Sequence, residues 1–167
     1  MKKLVMPGLV AGAPALFVFT QPSSAKESDE AEIRAMEAAM MEAFGQKDLD
    51  KALAAYLQDD TLFIFDAIPP RQYVGIKAWR ADNEGFIASF QGPLKAEMSD
   101  LSVTANGKLG HNIQHYSGTG KNGKPIDVTL RVSDGYKKIN GKWFIVQEHL
   151  SYPVDPATGK ADMNSKP

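Results

Sequence analysis

Apolar residues recur every three or four positions through the first half of this chain and every second position through much of the rest. The first spacing marks one buried stripe on a helix, the second one buried face of a strand. Ile33, Met36, Met40 and Phe44 form the first stripe. Asp29 and Glu32, three apart like a capping pair, predict its start, and Gly45 its end. Asp48 caps a shorter helix with Leu49, Leu53, Tyr56 and Leu57 inward. A short buried strand follows at 61–65, then Asp66 and a loop in which Pro69 and Pro70 forbid helix. Ile76, Trp79, Phe86, Ile87 and Phe90 predict a third helix over 76–91, stopped by Gly92-Pro93.

Beyond this point the period is that of a sheet. Strands are predicted at 95–105, with a slip in the alternation near Asp100, and at 109–119. Asn106-Gly107, Asn122-Gly123 and Asn140-Gly141 are turn dipeptides, so four long strands form an antiparallel meander. The last two strands span 128–153 and carry charge inside apolar runs. In the fourth long strand Phe144, Val146, Glu148 and Leu150 share one face by strict alternation, and Trp143, Ile145, Gln147, His149 and Ser151 the other. The expected architecture is α+β: a cone-shaped, curved antiparallel sheet with three N-terminal helices packed on its concave face, of the cystatin-like roll type.

Composition changes this picture little. Lys2 and Lys3, the uncharged run from Leu4 to Phe19 and the small residues Ser23-Ser24-Ala25 have the pattern of a cleaved signal peptide, 1–25. The run is short for a membrane span and is broken by Pro7, Gly8, Gly12 and Pro14. The expectations are therefore a periplasmic or secreted domain over 26–153, a flexible tail over 154–167, and no membrane attachment after cleavage. Without Lys2 and Lys3 the net charge moves from −1 to −3, and no basic cluster suits nucleic acid. There is no cysteine, so packing rather than disulfides must stabilise the fold.

Gly45-Gln-Lys-Asp48-Leu-Asp50, Tyr56-Leu-Gln-Asp59-Asp60-Thr61, Gly75, Arg131 and Gly141-Lys-Trp143-Phe-Ile-Val-Gln-Glu-His149-Leu-Ser151-Tyr-Pro153 carry a resemblance. In order and spacing they resemble the nuclear transport factor 2-like superfamily, in particular its SnoaL-like and ketosteroid-isomerase-like members, from about Glu30 to Pro153. The resemblance implies a cone-shaped pocket and homodimerisation through the sheet. It does not fix a reaction, because one fold hosts many functions.

Asp66 is the sharpest candidate for chemistry. Ketosteroid isomerases place a proton-shuttling aspartate in a similar phrase, here Asp66-Ala-Ile-Pro69-Pro70-Arg71-Gln-Tyr73-Val-Gly75. Partial desolvation by Phe63, Phe65 and Trp79 would raise its pKa and suit a base; the competing reading is that Asp66 braces its loop. The donors of such an isomerase are not reproduced: the positions corresponding to its tyrosine and its neutral acid fall near Met40 and Arg131. Arg131 would hold an anionic oxygen if the polar face of its strand lines the cone. Tyr56, Phe63, Trp79, Phe86, Glu148 and His149 are candidate ligand-binding residues, with either Glu148 or His149 inside. His111 and His115 are ~13 Å apart along a strand, too far to share a metal. No metal or cofactor is expected. The expected ligand is a small, largely apolar molecule with a polar or anionic group, used in cofactor-free isomerase- or cyclase-like proton transfer or merely bound in a non-catalytic module.

Overall fold

A computed structural model describes residues 24–165 except 105 and 107. The expected signal peptide lies almost wholly outside the described residues. Helix α1 spans Ser24–Gly45, α2 Leu49–Leu53 and α3 Ile76–Ala88. The strands are β1 Phe63–Phe65, β2 Tyr73–Val74, β3 Phe90–Thr104, β4 Leu109–Gly120, β5 Pro125–Ile139 and β6 Lys142–Ser151. They form one curved, unclosed sheet in the order β2-β1-β6-β5-β4-β3. β3 to β6 are the expected antiparallel meander, while β1 adds to β6 in parallel.

The helices bury the predicted stripes. Ile33, Met40 and Phe44 of α1 are buried, as are Leu53 and Tyr56 in and just after α2. The start of α1 differs from expectation. The helix already includes Ser24, so Asp29 lies inside it rather than at its cap, and Asp29 accepts from Lys138 Nζ at 2.7 Å and Trp143 Nε1 at 3.2 Å. Lys138 also donates to Glu32 at 2.9 Å, so the acidic pair ties α1 sideways to β5 and β6. α3 is shorter than predicted. It ends at Ala88, and Phe90 opens β3 opposite Gly120, so Gly92-Pro93 lies at a register shift within a strand.

The same sheet contains two more irregularities, and both decide what faces inward. The slip expected near Asp100 is a bulge between Ser99 and Ser102, with Asp100 at φ 55°. A second bulge was not legible: Gly135 pairs with Gln147 but Tyr136 with Ile145, leaving Val146 as the extra residue. An extra residue reverses the facing of everything beyond it. Trp143 and Ile145 are therefore buried together with Glu148 and Leu150, correcting the strict alternation expected of β6. At the tip between β5 and β6, Asn140 (φ 50°) and Gly141 (φ 81°) make the tight turn that their sequence demands.

After β6, Val154 bridges Ala161, and Thr129 N–H donates to Met163 carbonyl at 2.8 Å, which ties the segment to β5. Trp143 closes the opposite end of the core at 7% exposure. Trp143→Ala should cost about 3–5 kcal/mol in chemical denaturation; a loss under about 1 kcal/mol would show that this end of the cone contributes little.

Candidate functional site

The inner face of the sheet is unusually polar for a buried surface. β4 turns Asn112, Gln114 and Tyr116 inward, and β5 turns Val128, Leu130, Val132, Asp134 and Tyr136. β6 contributes Glu148 and Leu150, and Glu148 stands opposite Asp134 in the strand register. Two backbone bonds fix the helical layer to this face: Ile145 N–H donates to Ala55 carbonyl at 2.9 Å, and Leu57 N–H donates to Ile145 carbonyl at 2.8 Å. Tyr56, held between them, donates its hydroxyl to Glu148 at 3.0 Å. From α1, Glu37 projects into the same interior and accepts from Tyr136 Oη at 2.7 Å.

Tyr56, Trp79, Phe86, Gln114, Tyr116 and Glu148 line a cavity of about 80 Å³. Phe44, Val128, Leu130 and Leu150 add apolar wall, Asn83 a further polar side chain, and Asp66, Ile68 and Tyr152 complete the lining. Asp66 and Tyr152 are half-buried and Ile68 is 51% exposed, which places the mouth among these three. The space is smaller than the few hundred Å³ of a drug-sized site. It fits a compact ligand, or the leading group of a larger one that extends through the mouth.

Burial raises Asp66 from the usual carboxylate range to about 6, against a hydrogen bond from Ala67 N–H at 2.6 Å that lowers it. Asp66 thus both braces its loop and reaches the cavity. Desolvation, with the nearby charge of Glu37, lifts Glu148 to about 8, and desolvation lifts Glu37 to about 7. Asp134 is pushed strongly upward by burial and by the charges of Glu148 and Glu37. Asn112 Nδ2 donates to Asp134 at 3.1 Å. No lysine, arginine or histidine is buried among the described residues, so no cation offsets this group. No cluster of three metal-ligating side chains occurs among the described residues either.

The expected site residues divide by face. Asp66, Tyr56, Trp79, Phe86 and Glu148 meet at the cavity. Arg131 does not: the apolar face of β5 turns inward, leaving Arg131 outside, exposed, with Nη2 donating to Tyr152 carbonyl at 2.9 Å. His149 is exposed on the outer face of β6 beside Phe65, their rings 5.6 Å apart. Phe63 meets Phe65 edge to face, with ring centroids 4.9 Å apart, and is absent from the cavity lining, because Ile64 is the inward residue of β1. Of the Glu148 and His149 alternatives, Glu148 is inside. Glu37, Asp134, Asn112 and Gln114 were missed. Glu37 had a signal, since it falls four residues after Ile33 and three before Met40, within the apolar stripe.

Comparison with known proteins agrees with this geometry. The SnoaL-like domain family matches residues 33–155, and the chain belongs to that family. A nuclear transport factor 2-like protein of unknown function from Pseudomonas putida is 30% identical, with a TM-score of 0.71 over 84% of this chain and 98% of its own. A nuclear transport factor 2-like superfamily protein from Salmonella enterica shares the fold at 15% identity, with a TM-score of 0.69 over 81% of this chain and 99% of its own. A protein of unknown function with a cystatin-like fold from Nostoc punctiforme has 18% identity and a TM-score of 0.57, covering 78% and 93% of the two chains. No curated protein matches the chain.

The buried carboxyls set a pH dependence. Each has a folded pKa above its unfolded value, so its contribution to stability is complete below about pH 4.5 and is lost as pH rises through the folded value. Unfolding free energy from urea titrations should therefore fall between about pH 5 and pH 8, by on the order of 3 kcal/mol from Glu37 alone. Glu37→Gln should flatten that slope; an equally steep curve in the variant would assign the loss to other groups.

Proposed function

We propose that this chain is a small-molecule-binding domain whose cavity supports proton transfer at carbon, with Asp66 as general base and Glu148 as a neutral acid facing the developing oxyanion. The observation that carries this reading is the pairing of two carboxyls of unequal pKa in one cavity. At neutral pH Asp66, near 6, is ionised and Glu148, near 8, is protonated. A base close to the working pH is effective in abstracting a proton, and a buried neutral carboxylic acid is an effective hydrogen-bond donor to an enolate. Tyr56 donates to Glu148 and so fixes its orientation. This arrangement would supply a base and an acid without any role for Arg131, which lies outside the cavity. Export to the periplasm or beyond is part of the same proposal and rests on the N-terminal sequence pattern alone.

The compact cavity limits the partner to a small, mostly apolar compound with an enolisable carbonyl. Deuterium uptake at the α-carbons of cyclopentanone, followed by NMR in D2O, tests the chemistry. Exchange should rise with pH around 6 as Asp66 ionises. Asp66→Asn should reduce it by at least about 100-fold while leaving the thermal midpoint nearly unchanged. Equal exchange in that variant removes Asp66 from the mechanism. Saturable cyclopentanone binding with no enhanced exchange in the parent protein would favour a binding module of the same fold.

A further inference from the structure

Two residues of the cavity lining carry buried hydrogen-bond donors without a partner. Trp79 Nε1 and Gln114 Nε2 are buried without an acceptor. Trp79 is 4% exposed and Gln114 2%, and both line the cavity. Gln114 uses its other end, since Oε1 accepts from Tyr116 Oη at 2.7 Å. Among the described residues, the other buried side-chain atoms without a partner are Glu37 Oε2, Asn112 Oδ1 and Asp134 Oδ1. Their side chains belong to the cluster behind the cavity and are absent from its lining. Among the described residues that line the cavity, the buried side-chain atoms left without a partner are therefore both donors. A buried N–H left without one carries its full desolvation cost, so a ligand that supplies an acceptor gains the difference.

Charge narrows the ligand further. The ionisable groups of the lining are Asp66, Glu148 and the tyrosines Tyr56, Tyr116 and Tyr152, and no lysine, arginine or histidine is among them. Glu37 and Asp134 stand behind Glu148 and act on it electrostatically. A carboxylate entering this space would meet Asp66 without a counter-charge, at a desolvation cost that nothing in the wall offsets.

We infer that Trp79 and Gln114 are specificity-determining residues: the cavity selects neutral ligands that bring oxygen acceptors to Trp79 Nε1 and Gln114 Nε2, and rejects carboxylates of the same shape. The inference rests on the proposed ligand cavity and narrows the expected polar or anionic ligand group to an uncharged one.

The chain has two tryptophans, and this makes the test direct. Trp143 Nε1 already donates to Asp29, whereas Trp79 Nε1 is unpartnered. Nitrogen-15 NMR of the intact protein is followed while cyclopentanone, and separately cyclopentanecarboxylate, is added at pH 8. Methyl resonances of Val128, Leu130 and Leu150 report occupancy. Cyclopentanone should move those methyls, the Trp79 indole and the Gln114 amide together, and leave the Trp143 indole in place. The carboxylate should bind at least about 10-fold more weakly. Gln114→Leu should weaken cyclopentanone binding by about 10-fold while the Trp79 indole still responds. Methyl shifts without movement of either N–H overturn the inference and leave the cavity reading intact, as does equal binding of the carboxylate. An absence of methyl shifts with both probes overturns the inference together with the cavity reading.

Discussion

A charge taken out of water without a counter-charge is given up, and this protein takes three carboxyls out of water together. Glu37, Asp134 and Glu148 are each at most 2% exposed. Their neighbours are tyrosines, an asparagine and one another, so the interior is more stable while protons remain on them. Much of the surrounding structure serves that condition. Tyr136 and Tyr56 each donate to one carboxyl, Asn112 donates to a third, and the backbone bonds at Ala55 and Leu57 hold Tyr56 where its hydroxyl reaches Glu148. The cavity is the outward end of this protonated interior, and its chemistry follows from that position. Glu148 belongs to both, whereas Asp66 lies nearer solvent and keeps a pKa low enough to ionise.

The α+β architecture was legible because the two periodicities are clean and the turn dipeptides are strong. Ile33, Met40 and Phe44 on α1, and Val128, Leu130 and Val132 on β5, are buried as their spacing requires. The cavity was legible only in part. Asp66, Tyr56, Trp79 and Phe86 could be placed by their position beside buried elements. Arg131 was misplaced because a strand with one apolar and one polar face leaves open which of them meets the helices, and here the apolar one does. His149 and Glu148 could not be separated at all, because the bulge at Val146 shifts the facing midway along β6 and leaves no composition signal.

The buried polar residues of β4 were hidden for a related reason. His111, Ile113 and His115 alternate with Asn112, Gln114 and Tyr116, so neither face reads as plainly apolar. Packing settles the choice. Gly110, on the inner face of β4, leaves room for Tyr136: a Cβ there would lie 2.5 Å from the tyrosine hydroxyl. Gly110 shares its face of β4 with Asn112 and Gln114, the face that is covered.

Arg131 has a consequence that its absence from the cavity does not remove. From the outer face it holds the Tyr152 carbonyl, and the Tyr152 ring forms part of the cavity mouth. The aperture is thus fastened from the opposite side of the sheet, by a residue in contact with solvent. A change at Arg131 would therefore act on the doorway through Tyr152 while leaving Asp66 and Glu148 untouched. In a scaffold built in this way, the rim of a cavity can vary from the solvent side while its inner wall stays as it is.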